Sequence, residues 1–123
     1  MSEFRLHPLF EKELAALEKR RMRYFRESLS GFQRLCEVHF NPINPEMRIN
    51  PGKLHRVMQF NDGAIWKTEL AVIKSGLRPN QYPRIWFFVS GVKIVFLCVA
   101  DHVNNYRDAE TDKIAIKRAK DFY

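Results

Sequence analysis

Three Asn-Pro pairs fall within the segment NPINPEMRINPG, residues 41–52. This segment constrains the fold more than any other. Each proline removes a backbone N–H and keeps the residue before it out of the α region, so neither a helix nor a central strand can run through it. Asn and Gly add the side-chain acceptors and backbone freedom that turns use. The segment therefore divides the chain, and the two sides have different periods. Over 8–39, apolar residues recur at helical spacing: Phe10, Leu14 and Leu17, then Met22, Phe25, Leu29, Phe32, Leu35 and Cys36. Glu11, Lys12, Glu13, Glu18 and Lys19 fill the opposite side. The pattern predicts one long amphipathic helix or a helical hairpin, with Pro8 in the first turn, where its missing N–H costs nothing. Gly31 weakens the second register without ending it.

Beyond the divide the period shortens. Segments 54–60, 65–72, 85–89 and 92–100 read as strands. Asp62-Gly63 between the first two and Ser90-Gly91 between the last two are hairpin signals. The longer loop 74–84 carries two prolines. After Arg107 a helical pattern returns, with Ile114, Ala115, Ala119 and Phe122 able to share a face among Asp112, Lys113, Lys117 and Lys120. The expected architecture is α+β: an N-terminal helical hairpin packed on one face of a curved antiparallel sheet of about four strands, then a C-terminal helix. A short first strand over 4–6 is an option. One domain, 1–123, accommodates all of it. Alternation along IWKTELAV sets Trp66, Thr68, Leu70 and Val72 on one face and Ile65, Lys67, Glu69 and Ala71 on the other. The second, mixed face is the one expected to stay open. The run 92–100 is apolar on both faces apart from Lys93, as in a strand covered on both sides.

Composition narrows the function classes. The chain carries a net charge of +7, which favours an acidic partner such as nucleic acid, an anionic membrane or an acidic protein. The 92–100 run is far shorter than the roughly 20 residues of a membrane span. The first residues, MSEFRLHPLF, have no apolar core of the signal-peptide kind. The expectation is a soluble cytoplasmic protein with no membrane association. Cys36 and Cys98 read as buried small hydrophobes. The histidines His7, His39, His55 and His102 are scattered, so no metal motif is present, and no P-loop, dinucleotide fingerprint or serine elbow occurs. No cofactor is expected.

What remains is a set of bases, cations and a phenol. In CVADHVNNYRDAETDK, residues 98–113, an apolar strand breaks off at Asp101, and His102, Tyr106 and Arg107 follow. Asn104, Asn105 and Asp108 suit a turn and the start of a helix. His102 can be a strand-end histidine bonded to backbone, and Tyr106 a ring packed under the final helix. Alternatively, with Lys67 and Arg84, they supply the roles needed to cleave RNA without a metal: a base at the attacking 2′-oxygen, cations on the phosphorane, and an acid at the leaving 5′-oxygen. The cluster EKRRMRYFR, residues 18–26, is a second basic stretch, readable as a nucleic-acid surface or as a solvated helix face.

Three segments resemble the RelE/ParE superfamily of bacterial type II toxins. GAIWKTELAV is similar to the family's middle strand. RIWFFVSGVKIVFLCVADH is similar to its arginine-led hairpin. HVNNYRDAETDKIAIKRA is similar to its ending, in which His is followed by Tyr or Phe and then a helix. HPLFEKELAALEKR resembles the usual first helix. The chain departs from the pattern where an Arg often stands, at Leu70 or Ala71, and its 74–83 loop is longer. The resemblance implies a metal-independent, ribosome-dependent mRNA endoribonuclease held by an acidic antitoxin, with mRNA and the ribosome as partners, and an option of a toxin–antitoxin hetero-oligomer. It implies His102 as general base or acid, Lys67 and Arg84 as phosphate and transition-state contacts, and Tyr106 as an orienting group. Arg78, Arg107, His55 and Lys53 complete the implied RNA-binding set. A gyrase-targeting toxin of the same fold and a non-catalytic nucleic-acid- or antitoxin-binding module are the alternatives.

Overall fold

The computed structural model describes residues 3–19, 24–72, 74–78, 81–101 and 108–122. The chain runs β1 (Glu3–Leu6), α1 (Pro8–Lys19), α2 (Phe25–His39), β2 (His55–Gln59), β3 (Ala64–Glu69), β4 (Arg84–Ser90), β5 (Lys93–Ala100) and α3 (Asp108–Ala119), ending in a 3-10 turn, Lys120–Phe122. The sheet has five strands in the order β1-β5-β4-β3-β2. β1 lies parallel to β5, and the other neighbours are antiparallel. The fold is therefore α+β as expected, with one strand more than the four counted from periodicity. The extra strand, β1, is the short first strand offered as an option over 4–6.

Turn chemistry accounts for the connections. The N–H of Phe60 donates to the carbonyl of Gly63 at 2.7 Å, closing the Asp62-Gly63 hairpin. A Cβ on Gly63 would collide with the carbonyl oxygen of Val89 on the nearby β4, so only glycine fits. Gly91, at φ +57°, supplies the positive φ that a tight hairpin turn requires. In the Asn-Pro segment, Asn41 Oδ1 accepts the N–H groups of Ile43 and Asn44, and Asn50 Oδ1 accepts that of Gly52. β3 ends at Glu69 rather than at residue 72. Leu70 still donates to the carbonyl of Pro83 at 2.8 Å, but Pro83 has no N–H to return.

Two apolar layers flank the sheet. On one face Phe10, Leu14 and Leu17 of α1 and Phe25, Leu29, Phe32 and Cys36 of α2 meet Ile85, Phe87, Ile94 and Phe96. On the other, Ala115 and Ala119 of α3 meet Ile65, Trp86, Phe88, Val95 and Leu97. The expected placement of the helices on one face is thus corrected: α3 covers the second face. β4 and β5 are buried on both sides because their apolar runs leave no polar face to hydrate. The expected face of α3 is corrected as well, since Ile114 points outward at 44% exposure. Leu35, at 42%, is likewise outside the α2 core. Arg26 donates to Glu18 at 2.6 Å, tying α1 to α2. His7 caps α1 through Nδ1, which accepts the N–H of Leu9 at 3.1 Å, while its Nε2 lies 2.8 Å from Asp121 Oδ2. Among the described residues, no helix is long and apolar enough to cross a membrane.

Candidate functional site: a cationic pocket on the β2–β3–β4 face

Strand register assembles the site. His55 of β2 stands opposite Lys67 of β3, and Arg84 of β4 stands opposite Glu69. Lys67 and Glu69 are two residues apart and so share a face. Directly opposed side chains begin about 5 Å apart, and diagonal neighbours such as Lys67 and Arg84 about 7–8 Å apart. Lys53 arrives from the turn that precedes β2, held by its own N–H, which donates to the carbonyl of Asn50 at 2.9 Å. These groups, with Gly52 and Thr68, line a pocket of about 110 Å³. That is several times the roughly 30 Å³ share of a water molecule, enough for an oxyanion but not for a nucleotide.

The loop carrying Lys53 is fastened at its other end by His39. Its Nδ1 accepts the N–H groups of Arg48 and Ile49, each at 3.1 Å. Ile49 is buried in the α1–α2 core. Burial holds His39 below its ordinary pKa of 6.5, which keeps the acceptor nitrogen unprotonated.

Lys67 sits differently from its expected position over an open face. It is only 17% exposed, and its Nζ lies 3.2 and 3.3 Å from the two carboxylate oxygens of Asp112 on α3. The buried Trp86 indole donates to Asp112 Oδ1 at 2.7 Å. The pocket therefore combines three cations, Lys53, Lys67 and Arg84, with the carboxylate of Glu69, and Asp112 pairs with one of them, Lys67. Cations at this spacing can bind a phosphodiester and stabilise the charge that develops at phosphorus, while His55 and Glu69 can exchange protons.

Of the implied residues, Lys53, His55, Lys67 and Arg84 come together in this pocket. Arg78 does not line it; it is exposed on the 74–78 segment, where its backbone exchanges hydrogen bonds with Gln81. His102, Tyr106 and Arg107 lie outside the described residues. Glu69 and Asp112 were missed. Glu69 carried a usable signal, its alternation with Lys67. Asp112 carried none, because its contact with Lys67 spans 45 residues.

A wider groove of about 520 Å³ runs between α2 and the 48–53 loop, floored by Phe32, Leu35, Ile49 and Leu70, and shares Lys53 and Glu69 with the pocket. The thiols take no part: burial raises Cys36 and pushes Cys98 up to about 12. Among the described residues, no group of three His, Cys, Asp or Glu converges as a metal site would need. No protein-family model, curated protein or solved structure matches the chain.

Proposed function

We propose that this chain is a toxin of the RelE/ParE type that cleaves mRNA on the ribosome without a metal ion. The observation that supports the reading is the convergence of Lys53, His55, Lys67 and Arg84 on one pocket, although they come from separate strands and a loop. In the proposed reaction the 2′-oxygen attacks the adjacent phosphorus and the P–O5′ bond breaks. The products are a 2′,3′-cyclic phosphate and a 5′-hydroxyl. Lys67 and Arg84 bear on the equatorial oxygens, where a preorganised donor is worth about 10²–10³ in rate. His55 or Glu69, together with the implied His102, moves the protons, and Tyr106 orients the RNA. The net charge of +7 suits both RNA and an acidic antitoxin.

The test is purified protein added to ribosomes programmed with a defined mRNA, with both new ends mapped and EDTA present. Cuts in register with codons, carrying cyclic phosphate and 5′-hydroxyl ends, are expected. They should be lost in Lys67→Ala/Arg84→Ala and in His102→Ala/Tyr106→Phe. Intact RNA, or full cleavage by both double variants, overturns the reading. Broken DNA with intact mRNA would indicate gyrase instead.

A further inference from the structure

Asp112 makes contacts that a helix-surface carboxylate does not need. Its Oδ1 accepts the Trp86 indole N–H at 2.7 Å, and Trp86 is fully buried between α3 and the sheet. The indole thus fixes where the carboxylate stands. From that position both oxygens reach Lys67 Nζ, at 3.2 and 3.3 Å. Lys67 lines the cationic pocket, and Asp112 does not. Lys67 therefore belongs to the pocket lining and to the Asp112 pair at once.

We propose that Asp112 is an internal competitor for Lys67, occupying the ammonium that a phosphodiester of single-stranded RNA takes over when it enters the pocket. This inference rests on reading the pocket as an RNA-phosphate site. Three physical points carry it. A carboxylate and a phosphodiester both present paired anionic oxygens to a cation. The pair is not sealed, with side chains 17% and 27% exposed, so separating it costs less than breaking a dry ion pair would. Asp112 keeps its indole hydrogen bond when Lys67 leaves, and Lys67 has a flexible stem with three donors, so neither group is stranded by the exchange.

Removing the competing charge should tighten anion binding. A carboxylate about 6 Å from a bound phosphate, at a dielectric between water and protein surface, corresponds to roughly 3- to 100-fold in affinity. It should also steepen the salt dependence of RNA binding, by up to about 0.7 in log–log slope, because in the parent the released Asp112 takes up a cation that offsets part of the counterion release. A carboxylate acting only through its overall charge would give a gain that survives removal of Lys67, whereas competition for Lys67 would not.

The experiment titrates full-length protein with two probes, a short 2′-O-methyl RNA that cannot be cleaved and inorganic pyrophosphate, over a range of salt. Asp112→Asn keeps the acceptor for Trp86 and removes the charge; Asp112→Ser is the second variant. Both are checked for folding by near-UV circular dichroism. The expected result is tighter binding of both probes and a steeper RNA salt slope, with the gain abolished in a Lys67→Ala background. Unchanged or weaker binding by the folded variants overturns the inference, as does a gain that survives Lys67→Ala. Failure of both variants to fold also overturns it, since the pair would then be a structural requirement. If no form binds RNA but Asp112→Asn tightens pyrophosphate through Lys67, the RNA reading falls and the competition stands. If the parent binds RNA and the variants show no gain with either probe, the competition falls and the RNA reading stands.

Discussion

Glu13 and Arg118, 105 residues apart, take the place of a strand along the outer edge of β5. β1 pairs only with Lys93 to Phe96, so among the described residues no strand borders that edge further on. There Glu13 Oε1 accepts the N–H of Val99 at 3.2 Å, and Arg118 Nη1 donates to the carbonyl of Leu97 at 2.7 Å. The two side chains close on each other at 2.9 and 3.0 Å. An α1 residue and an α3 residue thus join the two helical layers across the sheet edge. Burial works against the Arg118 charge, but the hydrogen bond and charge of Glu13, together with the neighbouring Cys98, outweigh it, so its pKa is raised.

Breaking that pair should cost more than a surface salt bridge, because each removal strands one backbone group as well as a partly buried charge. Glu13→Ala and Arg118→Ala are each expected to lower stability by about 2–3 kcal/mol, below the range for a fully buried pair because Glu13 is partly exposed. The double variant should cost clearly less than the sum. Urea unfolding of the three variants measures this, and strict additivity would contradict the shared role.

Under the proposed function, the pocket predicts a division between turnover and binding. Lys67→Ala and Arg84→Ala should each lower the cleavage rate by about 10²-fold, the scale of one lost transition-state contact. Arg78 lies away from the pocket, so Arg78→Ala should act only through long-range charge, raising KM about two- to threefold with kcat retained. Single-turnover and steady-state cleavage on programmed ribosomes separate the two. A loss of kcat on the order of 10²-fold in Arg78→Ala would move the site toward the 74–78 segment.

His39 makes stability depend on pH. Its pKa is lowered by burial, and its Nδ1 must stay unprotonated to accept the Arg48 and Ile49 amides. Below the unfolded value near 6.5 the unfolded chain binds more protons at this site than the folded one, so stability rises with pH there. The contribution is complete above that value and is lost as pH falls through the folded one. His39→Asn, which keeps an acceptor that does not titrate, should flatten the difference in urea midpoint between about pH 7.5 and about pH 5. An unchanged difference would remove His39 from the account.

Two glycines should respond with opposite sign. Gly31 lies in the middle of α2, and a methyl group added there would meet no atom within 4 Å, so Gly31→Ala should stabilise by about 0.5–1 kcal/mol. Gly63 has the Val89 carbonyl oxygen in the way, with Phe88 Cζ and Ser90 Cβ each 3.1 Å from the added carbon. Gly63→Ala should destabilise by about 1–3 kcal/mol. Thermal melts of the two variants give the signs directly.

The sequence by itself determined what depends on near neighbours along the chain. Proline sterics at 42, 45 and 51 separate helix from sheet. Periodicity identifies the buried stripes of α1 and α2 and the two faces of β3, and Asp62-Gly63 and Gly91 mark the hairpins. These are local backbone and burial constraints, so they can be read residue by residue. The tertiary structure decided the rest. α3 has a narrow apolar face, Ala115 and Ala119 with the partly buried Ile116 beside them, and nothing local says which side of the sheet so slight a face will choose. Its choice closed a face expected to be open, set Asp112 on Lys67 and brought Arg118 to Glu13. Those contacts join residues 45 and 105 positions apart, and such pairings exist only once packing has fixed both elements in space. The pocket has the same origin: its residue types are plain in the sequence, but their convergence follows from strand register, which hydrogen bonding across the whole sheet imposes.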